Sequence, residues 1–312
     1  MFENWKVLVV GAGAMGHGIA QVFATNGFQV TLSDIKQEQL DKAKKSIAAN
    51  MENLLKEGLV TEADAERTRT LITYEVGFEK SAPLANLIVE SVFENPEVKR
   101  DTFIKIDKLC SQDCILASNT SASNIFEFAK VSHPERLIIT HWFNPPFIMP
   151  LVEIVMGPDT SSEIAEKVKT LLKGMGKEPA LIKQYIPGFI VNRLDNALTR
   201  ECCYMISQGW TTGEDIDTAI RGTNGIRYSF EGPMALKDLV GWDLINTVSG
   251  DVYKSLCNNT DGNPYAADMV AKGTLGLKSG KGVYDYSNTT IQDFINERGA
   301  KIIKMIKAVK EL

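Results

Sequence analysis

Lys6-Val7-Leu8-Val9-Val10-Gly11-Ala12-Gly13-Ala14-Met15-Gly16 is the stretch that decides the fold. Its first five residues are a short apolar run rich in β-branched side chains, the pattern of a parallel strand buried on both faces. Gly11, Gly13 and Gly16 follow in GxGxxG spacing, and behind them Ile19, Ala20, Val22, Phe23 and Ala24 recur with helical period. Strand, glycine turn and helix in that order make the dinucleotide-binding fingerprint. Gly11 permits the tight turn, Gly13 lets the backbone approach a pyrophosphate, and Gly16 lets helix and strand pack closely. The helix start offers N–H groups and the positive end of its dipole to the phosphates. A second strand, 28–32, leads to Asp34, 18 residues past Gly16. An acidic side chain there takes the adenosine ribose hydroxyls. It also repels a 2′-phosphate, so the expected cofactor is NAD rather than NADP; Lys36 close by weakens that preference slightly.

Downstream, helical patterns at 37–56, from Thr61, at 98–109, 124–130 and 161–174 alternate with apolar runs. Those runs, at 71–74, 87–91, 115–118, 137–141, 151–156 and 179–182, read as strands. The Pro-rich link 144–150 is too short for a βαβ crossover, so strands 137–141 and 151–156 are expected to be antiparallel neighbours. Past Pro187-Gly188 the texture changes to helices alone, at 189–208, from Thr212, at 233–257 and at 290–311. The expectation is an α/β chain: a Rossmann-type N-terminal domain, 1–185, and an all-helical C-terminal domain, 186–312.

In 312 residues, a hydrophobic share of 44% is enough for a sizeable core, and a net charge of −5 leaves no basic footprint for nucleic acid. No apolar run approaches the ~18 residues of a membrane span, and Met1 to Trp5 lack the layout of a signal peptide. Five scattered cysteines, 110, 114, 202, 203 and 257, form no CxxC pair and no zinc spacing, which suits a reducing cytoplasm. No metal is expected.

His141 is one of three histidines and ends a core strand at the sheet edge where open α/β folds place their sites. Glu153 lies on the next strand between Val152 and Ile154, and an inward carboxylate there needs a partner. His141 is the obvious one. Such a pair fixes the imidazole tautomer and leaves the other nitrogen as a base; by themselves the two residues fit a catalytic dyad and a structural contact equally. Ser118-Asn119-Thr120-Ser121 fits a cofactor pocket or a polar turn. Glu90, Glu94 and Lys99 are ambiguous in the same way. His17 reads as a packing or phosphate-neighbouring residue and His133 as exposed loop.

Taken together, GAGAMGHGIAQVFA, ESVFENPEVK, SNTS, HWFNPPF, PLVEIV, PGFIVNR, GPMALKDLVGWD and GLKSGKGVYDY resemble, in order and spacing, the 3-hydroxyacyl-CoA dehydrogenase family across nearly the whole chain. The resemblance implies NAD-dependent interconversion of an L-3-hydroxy and a 3-oxo group. It implies His141 as general base, Glu153 as its orienting partner, and Ser121 and Asn192 as holders of the substrate oxygens. It puts Asp34, Glu94, Lys99, Asn144 and Lys278 at cofactor-contact positions and implies a homodimer formed through the helical domain. The chain departs from the acyl-CoA members in two places. Ile148-Met149-Pro150 stands where a lysine commonly precedes Leu-Val-Glu, and Glu52-Asn53-Leu54-Leu55-Lys56-Glu57 stands where a Lys-rich helix is common. Gly225-Ile226-Arg227-Tyr228-Ser229-Phe230 instead resembles the branch acting on free hydroxy acids such as carnitine and L-gulonate. Arg227 there suits a two-pronged clamp on a substrate carboxylate, or a salt bridge. A short free 3-hydroxy acid is therefore the expected substrate, with a 3-hydroxyacyl-CoA as the alternative and a non-catalytic, crystallin-like protein as the reading from another class.

Overall fold

The computed structural model describes residues 2–312, and the chain divides into two compact units, one ending at Arg193 and one spanning Leu194–Leu312. The first is built on an eight-stranded sheet in the order β3-β2-β1-β4-β5-β6-β7-β8. Its strands are β1 Lys6–Val10, β2 Gln29–Asp34, β3 Ile72–Val76, β4 Leu87–Glu90, β5 Ile115–Ser118, β6 Leu137–Trp142, β7 Leu151–Met156 and β8 Glu178–Ile182. β1 to β6 run parallel, β7 turns back antiparallel on β6, and β8 runs parallel to β7. The order reverses beside β1, with β2 on one side and β4 on the other, which opens the crevice where such sheets bind ligands.

Helices cover both faces: α1 Gly16–Thr25, α2 Gln37–Lys56, α3 Glu62–Leu71, α4 Pro96–Leu109, the short α5 Ile125–Phe128 and α6 Ser162–Gly174. Alternation along β1 divides the core. Val7 and Val9 pack with Phe23, Leu40 and Ile47 on one face, and Leu8 and Val10 with Phe103 and Ile106 on the other. Each such aliphatic side chain contributes about 1.5–3 kcal/mol on burial. Local signals start the helices: Thr61 and Asp64 form a capping box at α3. Asn95 accepts from the N–H groups of Glu97 and Val98, just ahead of Pro96 at the first position of α4.

The second unit is helical. α7 Val191–Ser207 leads into it, followed by α8 Gly213–Gly222, α9 Asn224–Arg227, α10 Pro233–Val240, α11 Trp242–Val252, α12 Pro264–Ala271 and α13 Ile291–Lys310. The single helix expected at 233–257 is two, because Gly241 sits at φ 96°, a conformation no helix interior accepts. α12 was not foreseen from sequence; Asn263 caps it and Pro264 opens it. Among the described residues of this unit only Leu236 and Ile303 are buried apolar side chains, while Trp210, Phe230, Met234 and Leu239 are all more than half exposed. No described helix is long and apolar enough to cross a membrane. The expected α/β class, a Rossmann-like domain followed by a helical one, is the fold observed.

Candidate active site

A cleft of about 590 Å³ runs along the carboxyl ends of the strands in the first unit. Its floor is the glycine turn. Gly11 has φ 107°, and a Cβ there would lie 2.4 Å from the Ser91 carbonyl oxygen; a Cβ on Gly16 would lie 1.7 Å from the Gly11 carbonyl oxygen. A Cβ on Gly13 would meet nothing within 4 Å, so the turn is tight where helix meets strand and open where a pyrophosphate belongs. No side chain caps the start of α1; the His17 N–H turns back to the Gly13 carbonyl oxygen at 3.3 Å, and the remaining first-turn N–H groups are what the helix start offers an anion. Asp34 closes the far end of β2, its two oxygens accepting from the N–H groups of Ala12 and Lys36, each at 3.0 Å. A carboxylate has about four acceptor sites, so lone pairs remain for ribose hydroxyls. Ile35 and Phe93 are 81% and 85% exposed and line the same cleft, an apolar surface ready for a ring. This donor set and shape fit NAD.

Behind the floor lies a buried ion network. The Lys99 ammonium, 1% exposed, is 3.0 Å from Glu90 Oε1 and 3.3 Å from Glu94 Oε2. Ser118 Oγ donates to Glu90 Oε2 at 2.6 Å. Glu94 lines the cleft and accepts from Ser123 Oγ at 2.5 Å and from the Thr120 hydroxyl. Burial pushes the Glu94 carboxyl up, but the hydroxyls of Ser123 and Thr120 and the Lys99 ammonium outweigh it and hold the group below its ordinary value. Lys99, expected at a cofactor-contact position, is not part of the cleft wall. It pairs instead with Glu90 and with the cleft-lining Glu94.

The reactive end is made by β6 and β7. Their antiparallel register sets His141 directly opposite Glu153, and His141 Nδ1 lies 2.8 Å from Glu153 Oε2. An ionised carboxylate only accepts, so Nδ1 carries the proton and Nε2 holds the lone pair. Nε2 has no protein hydrogen-bond partner among the described residues. The other carboxylate oxygen accepts from the N–H groups of Ile190 and Val191, both at 2.9 Å, tying the strand to the start of α7. Glu153 is fully buried. Burial raises its pKa, but the hydrogen bonds from His141, Val191 and Ile190 and the His141 charge outweigh that, so it stays below the ordinary carboxyl value. The rings of Phe143 and Phe189 pack on the imidazole at 4.5 and 5.5 Å.

Asn192, in the first turn of α7, donates from Nδ2 to the Ser121 carbonyl oxygen at 3.0 Å, and both residues line the cleft with His141 and Asn144. The structure thus gathers Asp34, Glu94, Ser121, His141, Asn144 and Asn192 around one cavity. Arg227 and Lys278 lie in the second unit. Arg227 is exposed at the end of α9, and its guanidinium makes no hydrogen bond or ion pair among the described residues; Lys278 is exposed on the 3₁₀ turn Leu277–Ser279. His17 Nδ1 is 2.8 Å from the Gly13 carbonyl oxygen, and His133 faces Glu135 at the surface. No described group of side chains has the makings of a metal site. Asn119, within the Ser118–Ser121 run that fits a cofactor pocket or a polar turn by sequence, lines the cleft and accepts from the Trp142 N–H at 3.0 Å. Sequence reasoning did not find the Ile190 and Val191 amides, since backbone donors leave no residue-type signal.

Residues 6–185 match the family described as 3-hydroxyacyl-CoA dehydrogenase, NAD binding domain, and residues 188–286 match the 3-hydroxyacyl-CoA dehydrogenase C-terminal domain. The chain is 32% identical over 299 residues to 5-formyl-3-hydroxy-2-methylpyridine 4-carboxylate 5-dehydrogenase of Mesorhizobium japonicum, covering 96% of each chain. It is 33% identical to 3-hydroxybutyryl-CoA dehydrogenase of Clostridioides difficile over 90% of this chain and 99% of that one. Among solved structures, a 5-dehydrogenase of the same pyridine acid, an NAD⁺-dependent dismutase, superposes with a TM-score of 0.88 at 28% identity, over 98% of this chain and 99% of that one. The (S)-3-hydroxybutyryl-CoA dehydrogenase of Ralstonia eutropha superposes at 0.76 and 32% identity, over 91% and 99%. With two family domains in order and the dinucleotide cleft built as the sequence requires, the chain is an NAD-dependent dehydrogenase of the 3-hydroxyacyl-CoA dehydrogenase family.

Proposed function

We propose that this dehydrogenase interconverts an L-3-hydroxy and a 3-oxo group on a short, free carboxylic acid. The observation that carries the reading is the His141–Glu153 pair, with Nδ1 committed to the carboxylate and Nε2 left as the base at the cleft. In the oxidative direction Nε2 takes the hydroxyl proton. Glu153 stabilises the imidazolium that forms, and its two backbone donors keep it in place as the charge appears. Ser121 and Asn192 hold the substrate oxygen near Nε2. Bound NAD supplies the hydride acceptor for the hydrogen leaving C3. Asp34, Glu94 and Asn144 orient the cofactor, and Lys99 orients Glu94. Held geometry and one positioned base are enough for large rate gains in such a step.

Two observations favour a free acid. The relative matching 96% of the chain is named for a pyridine carboxylate, and Arg227 is an exposed guanidinium with no partner among the described residues, suited to a carboxylate. The CoA reading is supported by the identity to 3-hydroxybutyryl-CoA dehydrogenase. A purely structural role has no use for the intact His141, Glu153 and Asn192 set. The apolar side chains exposed on the helical domain, 186–312, favour a homodimer assembled through it. The deciding experiment is NAD reduction measured side by side on 3-hydroxybutyryl-CoA, 3-hydroxybutyrate, carnitine and gulonate. Efficient turnover of the thioester with none of the free acids overturns the reading.

A further inference from the structure

Lys177 follows Gly176 at the end of α6 and by sequence is an ordinary surface lysine. The structure buries it to 9% exposure. The cause is topological. β7 runs opposite to β6, and β8 runs parallel to β7 with Glu178 beside Leu151. The residue leading into β8 therefore reaches the sheet edge where His141 lies. There the Lys177 ammonium donates to the carbonyl oxygens of Pro146 at 2.6 Å and Met149 at 2.8 Å. It also lies 5.5 Å from the centroid of the Trp142 ring, the arrangement of a cation–π contact. An ammonium taken from water demands such acceptors.

Both carbonyls belong to the turn 143–150 that joins β6 to β7. The turn closes on itself through the N–H groups of Ile148 and Met149, which donate to the Pro145 carbonyl oxygen at 3.0 and 2.9 Å. Its other side rests on α1 at Gly18, where a Cβ would lie 2.5 Å from Pro146 Cγ. The turn is gripped between the phosphate helix and the lysine, and Asn144 leaves it for the cleft.

We propose that Lys177 is a positioning residue of the active site: its ammonium fixes the turn 143–150 and so holds Asn144 against the cofactor. This rests on the reading of Asn144 as a cofactor contact. The test is a double-mutant cycle read by NADH affinity (fluorescence titration) and kcat on the full-length protein. Lys177→Met is expected to weaken NADH binding about tenfold, the scale of a lost hydrogen bond to a charged group, and to lower kcat. Asn144→Ala is expected to do the same, and the double variant to be no weaker than the weaker single variant, because both remove one interaction. A lysine that only stabilises the fold gives multiplying effects instead, and that result overturns the proposal. So does wild-type NADH affinity in Lys177→Met while Asn144→Ala is weakened. Unchanged affinity in Asn144→Ala overturns the cofactor reading of Asn144, and the Lys177 proposal with it. Should Lys177→Met not fold, Lys177→Gln, which keeps two N–H donors without the charge, enters the same cycle.

Discussion

Replacing Glu153 by glutamine changes one atom's chemistry and little of its shape, and the structure dictates how the amide must sit. One carboxylate oxygen receives two backbone N–H groups, from Ile190 and Val191, and the other receives one imidazole N–H. If the amide nitrogen faced the backbone, two part-buried N–H donors would lose their acceptor, at up to about 1–3 kcal/mol each. If it faces the imidazole, the cost is a change of tautomer. The second arrangement wins. An NH₂ group only donates, so Nδ1 must accept and the ring proton moves to Nε2. The nitrogen that should take the hydroxyl proton then has no lone pair to take it with. Loss of a positioned general base costs about 10²–10⁴-fold in rate. Replacing one charge-assisted hydrogen bond by a neutral one costs only about 1 kcal/mol of stability. Glu153→Gln should therefore fold, bind NADH with near-wild-type affinity, and lose at least ~10²-fold in kcat. The assay is NADH formation at saturating NAD and substrate, paired with fluorescence titration and a melting curve. Adding Glu153→Gln to His141→Gln should cost nothing further, since the pair acts as a unit. A folded Glu153→Gln enzyme with wild-type kcat refutes the base assignment.

Four further outcomes are expected. Glu153 is held below its ordinary pKa of 4.5 in the folded chain, so its contribution to stability is complete above that value and lost as pH falls through the depressed one. Melting temperature followed downward from pH 5 should accordingly drop more steeply in the wild type than in Glu153→Gln. Asp34 should give NAD at least a tenfold advantage over NADP in kcat/KM, about 1.4 kcal/mol; equal use of the two cofactors would mean that its carboxylate does not meet the ribose. Light scattering at micromolar concentration should show a two-fold dimer, and a single 34.4 kDa species would count against assembly through the helical domain. Arg227→Met should lower kcat/KM for free 3-hydroxy acids by ~2–5 kcal/mol, mainly through KM, with NAD binding unchanged; no change with the best free acid would remove Arg227 from the substrate site.

The dinucleotide half of the site was legible because its chemistry is local. Gly11 and Gly16 mark backbone positions with no room for a Cβ, Gly13 and Asp34 stand at the fingerprint's fixed spacing from them, and a contiguous strand–turn–helix–strand carries all four. His141 and Glu153 were legible for a different reason. A lone carboxylate between Val152 and Ile154 demanded a partner, and the short link between the strands left one histidine within reach. Lys99 and Lys177 were not legible in the same way. Both are lysines in polar segments, and their burial depends on which distant carboxylates or carbonyls the sheet order brings to them. The breaks in the helical domain were misread where one glycine, Gly241, at positive φ interrupts a pattern whose apolar period continues across it.

The pairing of β6 with β7 shows why the chemistry and the fold are hard to separate here. Val152, Glu153 and Ile154 are all fully buried, in contact with opposite layers of the sheet in turn. A slip of one residue would set Val152 or Ile154 across from His141 and carry Glu153 to the other face. There the carboxylate would lie in an apolar layer without the imidazole or the amides of Ile190 and Val191, a loss of several kcal/mol for a buried charge. The hydrogen bonds that fix the His141 tautomer thus also penalise the wrong register. A variant that gives up the pair, such as Glu153→Leu, gives up both at once: the imidazole loses its fixed tautomer, and the strand loses the one polar residue that distinguishes its two faces.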